Sequence, residues 1–347
     1  MALSFGWYNE GMHKLISFVV SQSPRLKKGE ELEQKPIQSA PPYYEYSIPK
    51  QQAIGEQTEE VLGRKVKFLI RGYPPENVLV EAAVEISDIF SDDAFNFREE
   101  LIDACHKIAK KYGGNTAFSE EYSIALVTGY KGDPEQFLTK RQKIAAFLKS
   151  EKEPLDEKEI EYTLSKQIKY ANNDLVIVDW DGAFVFDTTG QIDDVIDLFQ
   201  TANLQLLRYR VLDEELDDRL RKVTRFGRAA DTKIFLRREL TKAFKEVIEV
   251  RSEAIADFEA TDRDIKLIGD WYSARLYDLI SKKFKLEEWR KSIQDKLESL
   301  EDIYNIVAEN FSVSRTHLLE LVQIILFFVL QAGWFALIIL EFIYFTR

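Results

Sequence analysis

Two aspartates separated by one residue follow a short apolar run in the middle of the chain. Asp179 and Asp181 come directly after residues 175–178, which are all aliphatic. Such a run predicts a buried strand, so both carboxylates would lie at its end. One carboxylate could attack a phosphoester while the other protonates the leaving group. The spacing therefore raises the hypothesis of an enzyme or sensor for a phosphorylated ligand.

This segment resembles the first motif of haloacid-dehalogenase-like phosphatases, in which a strand ends in an aspartate nucleophile and a second aspartate acts as acid and base. Ala183 stands where that family usually has threonine, and residues 183–187 resume a strand in place of the expected helix. A tight turn at Asp181-Gly182, with Gly182 at positive φ, explains the same residues without catalysis. We predict a hairpin turn at Asp181 and Gly182, and the phosphate-ligand function stays as the alternative.

A glycine-containing loop, residues 129–132, is a second candidate phosphate site. It precedes Asp133-Pro134, and backbone N–H groups at a helix N-terminus can bind phosphate. The loop lacks the lysine pattern of a nucleotide-binding loop, and Asp133 would occupy the same donors. We predict a capped helix start instead, with Asp133 at the N-cap and Pro134 in the first turn.

The remaining polar residues do not form a metal or thiol site. Asp193, Asp194 and Asp197 alternate with apolar residues at helical spacing, which indicates a solvated helix face and not a calcium loop. Cys105 is the only cysteine, and the three histidines are far apart in the sequence. We therefore predict no catalytic, cofactor-binding or metal-binding residue and no cofactor.

The composition bounds the class of protein. The 347 residues carry a formal net charge of −12, and lysine and arginine are scattered along the chain. Nucleic acid requires a basic face, so a nucleic-acid partner is not expected. A single cysteine suits a reducing compartment.

The central part of the chain mixes short β-rich runs with helical ones. This pattern predicts an α+β domain over residues 62–225, built of ferredoxin-like units with an antiparallel sheet. Predicted strands cover residues 66–70, 78–84, 122–128, 175–180 and 183–187, and predicted helices cover residues 97–112, 134–148, 154–170 and 192–200.

The N-terminal 61 residues are predicted to lie outside that domain. Residues 1–25 contain an apolar stretch, 11–20, that is too short to span a membrane and has no cleavage pattern of a signal peptide. We expect an interfacial or docking helix there. Residues 26–61 are rich in proline and glutamine, which is the composition of a polar linker.

Beyond residue 228 the sequence predicts a helical stalk, residues 229–317. An amphipathic helix is expected over about 230–260, and a second helix passes through Tyr272 and Tyr277. An apolar stripe then advances by three or four residues. It could pair with a second copy or pack against residues 230–260, and the sequence leaves both open. The stripe consists of Trp289, Ile293, Leu297, Leu300, Tyr304 and Val307.

The run from Leu321 to Leu340 has no charged residue. At about 1.5 Å per residue it would cross about 30 Å, the thickness of the hydrocarbon core. We predict a transmembrane helix over residues 318–345, with Trp334 inside it and Gln323 and Gln331 able to bond a neighbouring helix.

A re-entrant hairpin kinked at Gly333 is the alternative to this single span. The sequence lacks an N-terminal export signal, so we expect the bulk of the chain to be cytoplasmic and tail-anchored.

The C-terminal half, residues 175–345, resembles the required-for-meiotic-nuclear-division family. The matching segments are residues 181–186, residues 270–272, and residues 293–304 together with the aliphatic run that follows residue 320. The resemblance implies a membrane-tethered scaffold that acts through oligomers and has no active site. We therefore expect a non-enzymatic scaffold whose partners are the lipid bilayer and either a second copy or another membrane protein.

Overall fold

The structure, a computed structural model, describes residues 13–24, 29–32, 51–228, 245, 248–252, 254 and 271–345. The chain divides into two compact units. The first comprises Met1–Glu214 and Ile255–Ile293, and the second comprises Glu215–Ala254 and Gln294–Arg347.

The fold is α+β, and its first unit is built on a mixed nine-stranded sheet. The strand order is β2-β3-β4-β5-β1-β6-β9-β8-β7. Every neighbouring pair is antiparallel except β6 and β9, which are parallel. The strands are β1 His13–Gln22, β2 Glu30–Glu31, β3 Gln52–Val61, β4 Arg64–Tyr73, β5 Asn77–Ile86, β6 Ser119–Val127, β7 Gln167–Ile168, β8 Asp174–Val178 and β9 Gly182–Asp187.

The helices begin at recognisable caps. Ser91, Asp133 and Asp156 each accept a hydrogen bond from a backbone N–H two or three residues ahead, so the predicted N-cap at Asp133 is confirmed. The helices are α1 Asp92–Lys111, a 3₁₀ helix Pro134–Lys140, α2 Arg141–Lys149, α3 Glu157–Leu164, α4 Asp193–Arg228, α5 Trp271–Lys283 and α6 Leu286–Phe345.

The N-terminal apolar stretch is strand β1, so the expected docking helix is wrong for residues 13–22. β1 pairs with β5 along one edge and with β6 along the other. Its side chains are buried on both faces of the sheet. A strand that is buried on both faces does not alternate apolar and polar side chains, so the two-residue period of a strand is not visible in this part of the sequence.

The polar segment before residue 62 is also partly strand. Gln52–Val61 forms β3, which pairs with β4, and Glu30–Glu31 forms β2 at the outer edge. A linker is therefore the wrong interpretation for these residues. Their polarity reflects a sheet edge, where charged side chains face water.

Separate ferredoxin-like units are not confirmed, because the strands form one continuous sheet. The expectation of a purely antiparallel sheet is wrong at β6 and β9. The chain between them passes through the 3₁₀ helix, α2, α3, β7 and β8, and a parallel neighbour requires such a crossover.

Helices cover both faces of the sheet. On one face α1 packs over Leu15 and Val19 of β1 in a single core cluster. On the other face the ring of Tyr122 in β6 lies 5.1 Å from that of Phe199 in α4 and 5.6 Å from that of Phe284. Burial on both faces explains why β8 and β9 are almost wholly apolar and why apolar residues predominate in 15–20 of β1 and 124–127 of β6.

In the second unit, part of the apolar stripe is buried within the chain. Leu297 and Leu300 of α6 are buried, and so are Leu216 and Val250. Lys296 Nζ lies 2.6 Å from Asp217 Oδ1, and Arg251 pairs with Glu301. Intrachain packing therefore explains these two leucines.

The other stripe residues do not all belong to that packing. Ile293, in the first unit, is buried, and Trp289 is half-buried. The side chains of Tyr304 and Val307 lie outside the described residues, as does most of the helix predicted over 230–260.

Gly182 begins β9 without a positive φ, so the predicted left-handed turn geometry at this residue is wrong. The Asp179 N–H donates to the Gly182 carbonyl oxygen at 2.9 Å, which closes the turn between β8 and β9. A Cβ at residue 182 would lie 2.9 Å from the Ser123 carbonyl oxygen and 3.3 Å from the Phe147 ring. Glycine is required here by the close approach of β6.

We therefore expect Gly182→Ala to lower the free energy of unfolding by about 1–3 kcal/mol, because β6 or the Phe147 ring must move. Gly55→Ala is the matched control, since a Cβ at that strand glycine meets only the Tyr112 hydroxyl at 3.7 Å. Urea unfolding of both variants provides the measurement. Equal stability of the two variants would contradict the close approach.

Candidate functional site

The turn between β8 and β9 holds a buried carboxylate between two lysines. The Asp179 side chain is 2% exposed. Its Oδ1 lies 2.7 Å from Lys283 Nζ, and its Oδ2 lies 3.7 Å from Lys149 Nζ. The Trp180 N–H also donates to Asp179 Oδ1, at 2.6 Å. The carboxylate therefore connects the sheet to α2 and α5.

Lys149 is held in its charged form. Burial would lower its pKa, but a hydrogen bond to Glu159 and the charge of Asp179 raise the pKa overall. Lys149 Nζ lies 2.7 Å from Glu159 Oε1. A lysine in this state is a counter-ion and not a nucleophile.

Arg98 of α1 reaches the same turn from the core. Its guanidinium donates to the Asp181 carbonyl oxygen at 2.7 Å and to the Phe147 carbonyl oxygen, and it lies 4.5 Å from the centre of the Phe147 ring. Burial lowers the pKa of Arg98 to about 10 and raises the pKa of the half-buried Asp181 carboxyl. Arg98 therefore holds the backbone of the turn.

Sequence order did not reveal the cations that surround this turn, since Arg98, Lys149 and Lys283 come from three different helices. A nucleophilic aspartate needs an oxygen that can approach the substrate. Both Asp179 oxygens face lysines, and a bound phosphate would compete with Asp179 for those same lysines. The arrangement supports a structural ion-pair cluster in preference to a phosphate site.

The other residues considered as candidate sites in the sequence also have structural roles. Asp133 accepts from the Glu135 N–H and pairs with Lys169 Nζ at 2.6 Å, so the donors after the 129–132 loop are occupied. Cys105 is fully buried, and burial raises the pKa of its thiol. Within the described residues, no group of three or more histidine, cysteine or acidic side chains could hold a metal ion.

A second polar cluster, absent from the sequence predictions, lies between the sheet and α4. Glu81 Oε2 pairs with Arg71 Nη2 at 2.6 Å and accepts from Gln200 Nε2 at 2.5 Å. Asp197 Oδ1 lies 3.8 Å from Arg71 Nη1. The prediction of a solvated face is therefore wrong for Asp197, although Asp193 and Asp194 are exposed.

The available sequence signal for this cluster was Glu81, a charge inside the apolar strand that contains residues 78–84. A charge in such a run predicts a buried partner. Burial raises the pKa of Asp197 to about 7, although Arg71 acts in the opposite direction.

The predicted anchor residues all belong to the last part of α6. Leu319–Phe345 is 27 residues long, apolar enough to cross a membrane, and not buried anywhere. This range includes Leu321, Gln323, Gln331, Trp334 and Leu340. The helix is continuous through Gly333, so the re-entrant hairpin is not present.

Comparison with known proteins gives two matches. The family model described as "Uncharacterized protein MJ0711, N-terminal domain" matches residues 28–193. "Uncharacterized protein MJ0711" of Methanocaldococcus jannaschii is 29% identical to this chain over 301 residues, which are 86% of this chain and 87% of that protein. No solved structure matches.

The resemblance to the required-for-meiotic-nuclear-division family is wrong. The family match covers the N-terminal half, whereas that resemblance was confined to residues 175–345. Its motifs were short apolar or amphipathic segments: residues 182–186 lie in β9, Trp271 and Tyr272 begin α5, and residues 293–304 lie in α6. Buried strands and amphipathic helices of this kind occur in many unrelated folds.

Two adjacent lysines test whether Asp179 is structural. Lys283→Met leaves the buried Asp179 carboxylate without its close partner, so we expect a loss of about 3 kcal/mol in the free energy of unfolding. The matched control Lys282→Met breaks an exposed pair with Asp278 and should change stability by less than about 1 kcal/mol. Adding Asp179→Asn to Lys283→Met should restore most of the loss. Equal unfolding curves for the two lysine variants would contradict the cluster.

Asp197 makes stability depend on pH. Its folded pKa of about 7 lies above the ordinary value of 3.8, so the folded state holds this proton more tightly. Its contribution to stability is therefore greatest at low pH and is lost as the pH rises from about 4 to about 7. We expect Asp197→Asn to flatten the pH dependence of the melting temperature in that window. The exposed neighbour variant Asp193→Asn should keep the slope, and an unchanged slope in Asp197→Asn would contradict the assignment.

Proposed function

We propose that this chain is a membrane-anchored, non-enzymatic assembly module whose α+β domain is held at a bilayer by the end of α6. One observation carries the proposal: Leu319–Phe345 is a continuous apolar helix with no part buried by the rest of the described chain. Its 27 residues would extend about 40 Å, which exceeds the roughly 30 Å hydrocarbon core.

The physical argument is the apolar surface of this helix. Phe327, Phe328, Leu330 and Trp334 are each more than half exposed. Large apolar side chains gain about 1.5–3 kcal/mol each on leaving water, and a soluble domain rarely leaves so many exposed together. Every backbone group of a helix is bonded internally, so this segment meets the main requirement for crossing lipid.

The charged turn supports the non-enzymatic part of the proposal. The Asp179 carboxylate pairs with Lys149 and Lys283, and the Arg98 guanidinium donates its hydrogen bonds to backbone carbonyl oxygens. The alternative, an enzyme or sensor of a phosphorylated ligand, would need these groups to release one another. Loss of a measured hydrolase activity in Asp179→Asn with Asp181→Asn, with the fold intact, would establish that alternative.

Assembly is proposed to occur through the anchor. Gln323 and Gln331 lie eight residues apart, toward one side of the helix, and are exposed. Glutamine amides in lipid hydrogen-bond to neighbouring helices. Confinement in a bilayer also raises the effective concentration of tethered copies, which favours pairing of their anchors. A tail-anchored topology with a cytoplasmic domain belongs to the same proposal, and the single reduced cysteine, Cys105, supports it.

Membrane extraction of the full chain tests the anchor. Leu326→Arg combined with Leu330→Arg should weaken integration by at least about 5 kcal/mol, because each arginine at mid-bilayer costs about 2.5–3.5 kcal/mol. The protein should then move from the membrane pellet into the supernatant of an alkaline carbonate wash. Leu326→Val with Leu330→Val is the matched control and should stay in the pellet. An unmodified chain that washes off membranes would contradict the proposal.

A further inference from the structure

Exposed aromatic side chains concentrate at the β7 edge of the sheet. Outside α6, six large hydrophobic side chains are exposed in the described residues, and four of them lie here: Tyr162, Tyr170, Trp180 and Trp271. Such clustering of exposed apolar surface marks an interaction site more often than scattered exposure does. We call these four residues, together with the cations Lys166 and Arg275, the aromatic strip.

Four parts of the first unit carry these residues. Tyr162 belongs to α3, Tyr170 follows β7, Trp180 lies in the turn between β8 and β9, and Trp271 begins α5, which packs beside β7 and β8. The Tyr170 ring lies 6.2 Å from the Trp271 ring, and the Trp180 ring lies 5.8 Å from that of Phe284 just beyond α5. Since α5 is about 18 Å long between its first and last residues, the strip follows most of one edge of the domain.

Two cations in the strip lie over aromatic rings. Arg275 lies 4.5 Å from the centre of the Trp271 ring, and Lys166 lies 6.0 Å from that of Tyr162. Within the described part of the chain neither forms an ion pair, whereas the nearby Lys282 and Lys283 pair with Asp278 and Asp179. The strip therefore offers unpaired positive charge on a protein of net charge −12.

The acidic groups around the strip are mostly engaged. Asp174 accepts from the backbone N–H groups of Tyr170 and Ala171, and Asp278 pairs with Lys282. Glu161 is an exposed carboxylate next to Tyr162. Among the described residues, Lys166 and Arg275 are balanced by Glu161 and by Asp174, which keeps its charge when it accepts hydrogen bonds, so the strip has no excess negative charge that would repel a headgroup region.

We propose that the aromatic strip binds the headgroup region of a lipid bilayer. Tryptophan and tyrosine with an apolar body and a polar tip, interleaved with lysine and arginine, form the side-chain set that membrane interfaces favour. The inference rests on the proposed membrane anchoring, because a tethered chain stays at the bilayer surface and a modest patch then suffices to bind.

Site-specific fluorescence in nanodiscs tests this binding. Cys105 is the only native cysteine and is buried, so a thiol-reactive fluorophore reports an introduced cysteine. The full chain carries the label at one of three exposed positions: Tyr170→Cys in the strip, Leu62→Cys at the β3–β4 turn, or Leu330→Cys in the anchor. The discs contain phosphatidylcholine and phosphatidylglycerol, with spin-labelled lipid as quencher at the headgroup or within the acyl chain.

We expect headgroup quencher to lower the emission at residue 170 roughly twofold, because interfacial aromatic positions lie at headgroup level. The label at residue 62 should keep its emission, and acyl-chain quencher should reduce emission at residue 330. Trp271→Ser together with Tyr162→Ser should abolish the quenching at 170 without changing that at 330.

The outcomes separate the two proposals. Quenching at 330 without quenching at 170 overturns the strip and leaves the anchor intact. A blue shift at 170 that does not respond to lipid quencher shows that protein covers the strip and overturns lipid binding. Absence of quenching at 330 overturns the anchor, and the strip proposal fails with it.

Discussion

Strand β1 is hydrogen-bonded along both of its edges, and the architecture of the first unit depends on this pairing. Its backbone pairs with β5 over residues 13–22 and with β6 over residues 14–21. Without β1, the strands β2–β5 and the strands β6–β9 would be two sheets with open edges. Unpaired backbone groups in such a buried place are very unfavourable, so β1 joins the N-terminal residues to the rest of the domain. The core on both faces then follows from this one sheet.

Polar groups inside this frame serve to fix helices on the sheet. Asp179 positions α2 and α5 through Lys149 and Lys283, and Glu81 positions α4 through Gln200. Buried charges are tolerated when they are paired: Asp179 Oδ1 pairs with Lys283 and accepts from the Trp180 N–H, and Glu81 pairs with Arg71 and accepts from Gln200. Because α5 is held beside β7, its exposed end presents Trp271 at the edge of the sheet. The charged turn therefore matters for what it positions, and chemistry at the turn is not needed to explain it.

Local signals allowed much of this fold to be predicted from the sequence. Short β-rich runs indicated β4 and β5, and Asp133-Pro134 identified a capped helix start. Predictions failed where context decided the outcome. The apolar run of β1 has no alternation because both of its faces are buried, and polar β3 resembles a linker because it lies near an edge.

Contacts between residues far apart in the sequence could not be predicted either. Lys149 and Lys283 carry no sequence mark that connects them to Asp179, since their partners are set by how helices dock. The glycine at 182 was recognised, but its role is close approach to β6 and not a positive φ. The apolar C-terminal helix was the most predictable element, because a long uncharged run needs no tertiary context.

The central claim is that Leu319–Phe345 lies in lipid, and amide hydrogen exchange of the full chain in nanodiscs tests it most directly. Amides in the hydrocarbon core are shielded from water, so residues 321–340 should exchange far more slowly than the water-exposed ends of α4 and α5. Exchange of residues 321–340 as fast as that of those exposed helix ends would show that the helix remains in water and would contradict the account.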